Sequence, residues 1–282
     1  MRLEEALRLA IGRLTAAQVG SPRMNAEVLL MFTLSCDRAY LYAHAERKLS
    51  ADETTRYDEA LGQRAQGVPS QYITGHQEFW GMDLIVTAAV LIPRPETEHL
   101  IEVILPLAKT MEHAKIVDVG TGSGCIALTL AKELPGSQIH ASDISPEALE
   151  IARANAARHR LESRIEFHKA DLLEGIAGEF DFVVSNPPYV GESEADMVQL
   201  EVRKFEPRSA VFAGTIGAEV IARLIPQAQG KLRPGGWLIL EISGTIVEEV
   251  KRLLAGWDGV EIKNDLQNIP RVAIARSPRL GK

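Results

Sequence analysis

Cysteine is scarce in this chain. Two among 282 residues, Cys36 and Cys125, lie in different regions and form no CxxC pair, so neither a disulfide framework nor a thiolate zinc site is expected. No apolar run approaches the roughly 20 residues that a bilayer span requires. Met1 to Glu5 lack the basic start and apolar centre of a secretory signal. Histidine is sparse and scattered, at His44, His76, His99, His113, His140, His159 and His168. None of these makes an HExxH or other ligand spacing, so no metal is expected. An excess of positive charge is missing too. Lys and Arg number 31 against 38 Asp and Glu, a net charge of -7 that argues against affinity built on many phosphate contacts. With 46% hydrophobic and 24% charged residues, the composition is that of a soluble globular protein. The expectation is a cytoplasmic monomer with no membrane and no stable nucleic-acid partner.

What is present is ordered in two styles. The first 75 residues read as a helical bundle. Leu3, Ala6, Leu7, Ala10 and Leu14 recur at helical spacing, and a second run opens at Pro22. Ser50 and Glu53 form a capping box for a third helix through about Ala65. Residues 76–94 read as a β-hairpin linker, with the stretch from Tyr72 to Trp80 extended and Phe79 and Trp80 as glue between two domains. From residue 95 to 282, strands and helices alternate. Strands are expected at 115–119, 138–143, 164–169, 180–185, 237–242, 259–264 and 270–276. Such alternation implies an α/β fold with a mainly parallel seven-stranded sheet covered on both faces. Its last two strands follow each other almost directly, so the last runs antiparallel.

Two turns in the second part carry the chemistry. The first, from Val117 to Gly124, reads VDVGTGSG where a strand meets a helix. Glycine at every second position lets the backbone turn sharply and approach a ligand without Cβ interference. Asp118 suits a cationic or amino-bearing ligand better than a pyrophosphate. Asp143 ends the next strand, where a carboxylate can accept from both hydroxyls of a ribose. These features resemble the class I S-adenosylmethionine methyltransferases, which have a Rossmann-like fold. By that resemblance the glycine turn cradles the methionine part of the cofactor. Asp143 holds the ribose, and Asp171 and Leu172 lie beside the adenine.

The second turn, Asn186-Pro187-Pro188-Tyr189, follows the fourth strand of the sheet. Two prolines fix φ and offer carbonyls without N–H groups, and Asn186 adds a side-chain acceptor. An NH2 group with two hydrogens to donate fits between the Asn186 and Pro187 oxygens. Tyr189 offers a ring to pack on a flat amide or base. A planar nitrogen whose lone pair is delocalised is a weak nucleophile, so positioning and electrostatics carry the catalysis. The motif alone leaves open adenine amines of DNA, guanine amines of RNA, and protein glutamine.

Further segments narrow this. Residues 91–98 read LIPRPETE, residues 69–75 PSQYITG and residues 206–210 EPRSA. With the helical N-terminus and both turns, they make the chain resemble the PrmC/HemK family along its whole length. The resemblance implies an enzyme using S-adenosyl-L-methionine, with S-adenosyl-L-homocysteine as product. Its substrate would be N5 of the glutamine in the Gly-Gly-Gln motif of class 1 peptide chain release factors. Gly120, Thr121, Gly122, Ser123 and Gly124 would line the cofactor with Asp143, Asp171 and Leu172. Asn186 would touch both cofactor and substrate, Asn186 to Tyr189 would grip the glutamine amide, and Arg94 to Thr97 would close the pocket. The rival is a nucleic-acid amine methyltransferase acting on adenine N6 or guanine N2, which needs base flipping and a basic surface. One departure stands out. Ser243, Gly244 and Ile246 lie where relatives more often show Glu-x-Gly and a glutamine, and no site is assigned to that loop.

Overall fold

A computed structural model describes residues 1–278. The chain divides into two compact units. The first comprises Met1–His76 and a later segment, Gln199–Phe205; the second runs from Gln77 to Val198 and resumes at Glu206.

The first unit holds helices α1 (Leu3–Ala16), α2 (Pro22–Leu34), α3 (Arg38–Ala43), α4 (Ala51–Ala65) and α5 (Ser70–Thr74). Leu3, Ala6, Ala10 and Leu14 of α1 are buried with Leu29 and Leu30 of α2 and Tyr57 and Leu61 of α4, the stripe the spacing predicts. Ser50 and Glu53 close both halves of their capping box. Two elements differ from the sequence reading. Asp37 caps α3 by accepting from the Tyr40 N–H at 2.7 Å, a local bond that periodicity does not report. Residues 70–74 form a helical turn rather than an extended strand, started by Pro69 and stopped by Gly75 at φ +77°. The buried Arg64 donates to Asn25 Oδ1 at 2.7 Å and to the Val68 carbonyl at 3.0 Å. Its remaining nitrogen pairs with Glu201 at 2.8 Å, which holds the later segment in this unit.

The second unit begins at Gln77, within the hairpin of β1 (His76–Phe79) and β2 (Met82–Ile85). Phe79 and Trp80, expected as interdomain glue, belong instead to this unit's own core, because the hairpin turns its apolar face inward with Met82 and Leu84. There follow α6 (Glu98–Ala108), β3 (Lys115–Val119), α7 (Cys125–Glu133), β4 (Gln138–Asp143), α8 (Pro146–Arg158), β5 (Ile165–Lys169) and β6 (Phe180–Ser185). Next come β7 (Val190–Gly191), α9 (Leu200–Phe205, in the first unit), α10 (Arg208–Val211) and β8 (Phe212–Gly214). The chain closes with α11 (Glu219–Lys231), β9 (Leu232–Glu241), α12 (Val247–Leu253), β10 (Asp258–Asn264) and β11 (Pro270–Arg276).

The main sheet has seven strands in the order β10-β11-β9-β6-β3-β4-β5. β11 runs antiparallel to both neighbours, and the pairs from β9 to β5 are parallel, as the strand-helix alternation predicts. Separate apolar clusters cover its two faces, which is why the central strands are nearly all apolar. Progress along the chain moves outward from β3 to β5, then returns to β6 on the other side of β3. The edge between β3 and β6 is thus the point where strand order reverses, and ligands of open α/β sheets bind there.

Candidate active site

β3 and β6 pair in register with Val119 opposite Ser185. Ser185 Oγ donates to the Val119 carbonyl at 2.6 Å, tying the two strand ends together. The glycine turn and the Asn-Pro-Pro-Tyr turn therefore leave the sheet side by side, though far apart in sequence. They open onto a cavity of ≈ 350 Å³.

Gly120 (φ +71°) and Gly122 (φ +55°) line this cavity, and a Cβ on either would meet nothing within 4 Å. Their backbone conformation costs other residues strain, and their faces stay open to a ligand. Thr121 and Ser123 join them in the lining. Gly124 does not. A Cβ there would lie 2.4 Å from Leu128 Cδ1 and 3.2 Å from Ala152 Cβ, so this glycine serves the packing of α7 against α8. Asp118 also points away from a ligand role. Its Oδ2 accepts from Thr121 Oγ1 at 2.6 Å and from the Ala127 N–H at 3.2 Å, folding the turn onto α7. Oδ1 is buried without a partner, and burial pushes the carboxyl up to about 7. Cys125 lines the cavity, yet burial pushes its thiol up to about 12, so it is no ready nucleophile.

Asp143 stands opposite the glycine turn. Its Oδ2 accepts from the Gly122 N–H and its Oδ1 from the Ser145 N–H, both at 2.9 Å. Burial raises this carboxyl above its usual range, and those N–H donors pull it back. Ser145 then caps α8, accepting from the Ala148 N–H at 3.0 Å. Asp171 and Leu172 form the adjoining wall. Asp171 is paired with Arg223 at 2.6 Å. Leu172 sits at φ +57°, a region that a non-glycine residue enters at a cost, and Ser142 Oγ donates to its carbonyl at 2.9 Å to hold it there.

At the second turn, Asn186 and Pro188 line the cavity; Pro187 and Tyr189 do not. Asn186 Nδ2 donates to Thr97 Oγ1 at 3.0 Å. Tyr189 is turned into the protein, where its hydroxyl donates to Glu241 Oε1 at 3.0 Å. Glu241 is 1% exposed. Burial raises its carboxyl above the usual range, against the pull of Thr97 and Tyr189, and its Oε2 makes no full hydrogen bond. With its NH2 on Thr97, Asn186 has its Oδ1 left for the cavity that it lines.

The segment before α6 forms another wall through Ala89 to Leu91, Pro93, Arg94 and Thr97. Two polar clamps seat it. The fully buried Asn155 side chain accepts from the Ile85 N–H at 2.7 Å and donates to the Ile85 carbonyl at 3.0 Å. Its other hydrogen goes to the Ser123 carbonyl at 2.9 Å, which joins hairpin and glycine turn. Glu206, buried, accepts from Arg94 and from the Ile92 N–H at 3.2 Å. The PRPE and EPRSA segments meet through that pair, and Pro207, Ser209 and Ala210 complete this side.

Of the residues expected from sequence, the fold thus gathers Arg94, Gly120, Thr121, Gly122, Ser123, Asp143, Asp171, Leu172, Asn186 and Pro188 around one cavity. It leaves Gly124, Pro187 and Tyr189 behind its lining. Thr97 lies in the stretch expected to close the pocket and lines the cavity, whereas Asn155, Glu206 and Glu241 were not singled out as working residues. A carboxylate inside the apolar run Trp237–Ile242 was the available signal for Glu241, since a buried strand rarely carries an unpaired charge.

Comparison with known proteins places this geometry. A family model described as the PrmC N-terminal domain matches residues 5–75, and one described as the methyltransferase small domain matches residues 97–204. The release factor glutamine methyltransferase of Koribacter versatilis (strain Ellin345) is 55% identical over 280 residues, covering 99% of each chain. The protein of the same name from Xylella fastidiosa (strain Temecula1) is 41% identical over 271 residues, covering 95% of this chain and 98% of its own. The solved 16S rRNA N2 methyltransferase of T. thermophilus, in complex with AdoMet and guanosine, overlays with a TM-score of 0.54 at 16% identity. That match covers 72% of this chain and 49% of the other, and it speaks for the fold alone.

Proposed function

This chain belongs to the release factor glutamine methyltransferase family, and from that premise we propose that it methylates the side-chain amide nitrogen of a release-factor glutamine. The cofactor is S-adenosyl-L-methionine, which supplies an electrophilic methyl group when bound. The residues present fit it. The cavity of ≈ 350 Å³ falls within the roughly 300–1,000 Å³ of small-molecule sites. Two glycines keep one wall free of side chains, and Asp143, on the opposite wall, offers acceptors for a ribose.

The observation that carries the reading is the orientation of Asn186. Its NH2 is committed to Thr97, so the amide oxygen is the group it presents to the cavity. A primary amide donates two hydrogens, and we assign one of them to Asn186 Oδ1. That bond would hold the nitrogen toward a bound methyl donor, and the acceptor would favour the positive charge that develops on nitrogen. Thr97 and Glu241 position Asn186. Tyr189 anchors the turn through Glu241 instead of stacking on the substrate. Arg94, held by Glu206, closes the side formed by the segment before α6. The helical first unit is the proposed grip on the release factor.

Labelled S-adenosylmethionine tests this directly. The protein is incubated with a class 1 release factor, with the same factor carrying a replaced motif glutamine, and with DNA or rRNA. Label is expected on the intact factor alone. Label that persists after the glutamine is replaced, or that appears on the nucleic acid instead, overturns the substrate assignment.

A further inference from the structure

The histidines looked unremarkable in sequence because the relevant spacing runs across strands. His140 lies on β4, and Glu166 and His168 lie two apart on β5, the edge strand of the main sheet. β4 and β5 pair in register with His140 opposite Glu166 and Ser142 opposite His168, so all three side chains share one face. His140 Nδ1 is 2.9 Å from His168 Nε2. Glu166 Oε2 lies 3.5 Å from His140 Nδ1, and its Oε1 lies 3.5 Å from His168 Nε2. Among the described residues this is the one group of at least three His, Cys, Asp or Glu side chains whose ligand atoms converge within 4.8 Å.

We propose that His140, Glu166 and His168 form a binding site for a late first-row divalent cation, of the Zn²⁺, Co²⁺ or Ni²⁺ class, which cross-links β4 to β5. The donor set carries the choice of ion. Two imidazole nitrogens with one carboxylate suit these metals, whereas Mg²⁺ and Ca²⁺ take oxygen. The spacing agrees. A cation about 2.1 Å from both nitrogens subtends roughly 90° at their separation, as in an octahedral site, and a slight parting of the rings reaches the tetrahedral angle. The rings lie edge to edge, with centroids 5.2 Å apart and planes inclined by 12°, so their nitrogens face each other and both rings turn outward to receive the ion, while Phe180 backs His140 at 5.2 Å.

Burial is graded from the inside out. His140 is 8% exposed, and the His168 and Glu166 side chains are 21% and 66% exposed, so the carboxylate stands at the mouth. One ring now donates a hydrogen bond to the other. Binding moves that proton to the ring's outer nitrogen, so both inner nitrogens face the ion without net loss of a proton. None of the three residues lines the active-site cavity. The cation is therefore structural, although Asp143 ends β4 and Asp171 and Leu172 follow β5 in the cavity wall.

The test uses full-length protein with every affinity-tag histidine removed. Co²⁺ is titrated with visible absorption as the readout, Zn²⁺ displaces it, and melting is followed in parallel. One equivalent is expected to bind with micromolar affinity and raise the melting temperature. His168→Ala is expected to weaken binding by about 100-fold, and Glu166→Gln, at an exposed position that leaves folding untouched, by about 10-fold. Cys36→Ser, which removes the half-exposed thiol elsewhere in the chain, is expected to change nothing. Affinity that survives both His168→Ala and Glu166→Gln overturns the site. So does loss of binding in Cys36→Ser, or the absence of saturable binding below millimolar metal.

Discussion

Asn186 has one acceptor to spare, and the residues behind it decide where that acceptor points. Asn186→Ala is expected to lower kcat/KM by about two to three orders of magnitude, comparable to loss of an oxyanion-hole donor, while leaving the melting temperature nearly unchanged. Glu241→Gln separates positioning from contact. It removes a full charge acceptor behind Thr97 and is expected to lower kcat more than it raises KM for either substrate. Because burial raises the Glu241 carboxyl, wild-type kcat should fall with falling pH above the usual carboxylate range, and that limb should vanish in Glu241→Gln. A pH profile shared by the two enzymes would remove Glu241 from the relay. Asp118 gives a second residue-scale signature, in stability. Folded, it keeps its proton up to about pH 7; unfolded, it loses it near 3.8. Between those values unfolding releases a proton, so this residue's contribution falls as pH rises and is flat above 7, a change on the order of a few kcal/mol. Asp118→Asn cannot ionise and should lack that slope. Urea melts at pH 5 and pH 8 measure it, and parallel behaviour of the two proteins would refute the assignment.

Among the elements, the segment between β2 and α6 depends most on a single side chain. Asn155 pairs with Ile85 as another strand's peptide group would, and its third bond reaches the glycine turn. Asn155→Ala leaves the Ile85 N–H and two carbonyls without their partner in a buried place. A loss of about 2–4 kcal/mol in unfolding free energy is expected, with weaker cofactor binding, and equilibrium unfolding with a binding titration checks both. A loss below half a kcal/mol would mean that water replaces the side chain. What the sequence disclosed at this scale was local. Glycines at alternate positions, a proline after a capping serine and a Pro-Pro turn each announce their own backbone. Asn155 bonds to a residue 70 positions away, Asn186 to one 89 away and Arg94 to one 112 away. No local period records such pairs. Tyr189 turns inward for the same reason, since its partner Glu241 lies 52 positions away.

For the whole molecule, the strand-helix alternation sufficed to fix the sheet and its antiparallel member, because right-handed crossovers leave few ways to lay parallel strands together. The segment from 192 to 215 was not legible. It visits the first unit at Gln199–Phe205 and resumes the second at Glu206, a path set by Arg64–Glu201 and Arg94–Glu206 and not by any periodicity. The position of β11 has a consequence for biosynthesis. Glu241 lies opposite Val272, and β11 fills the place between β9 and β10. A nascent chain that has reached Asn264 has made every residue around the cavity, yet β9 still has a bare edge and β10 has no strand to join. The carboxylate that steers Asn186 is locked into its sheet only when the final strand arrives, so competence comes as one late event in synthesis and not by degrees.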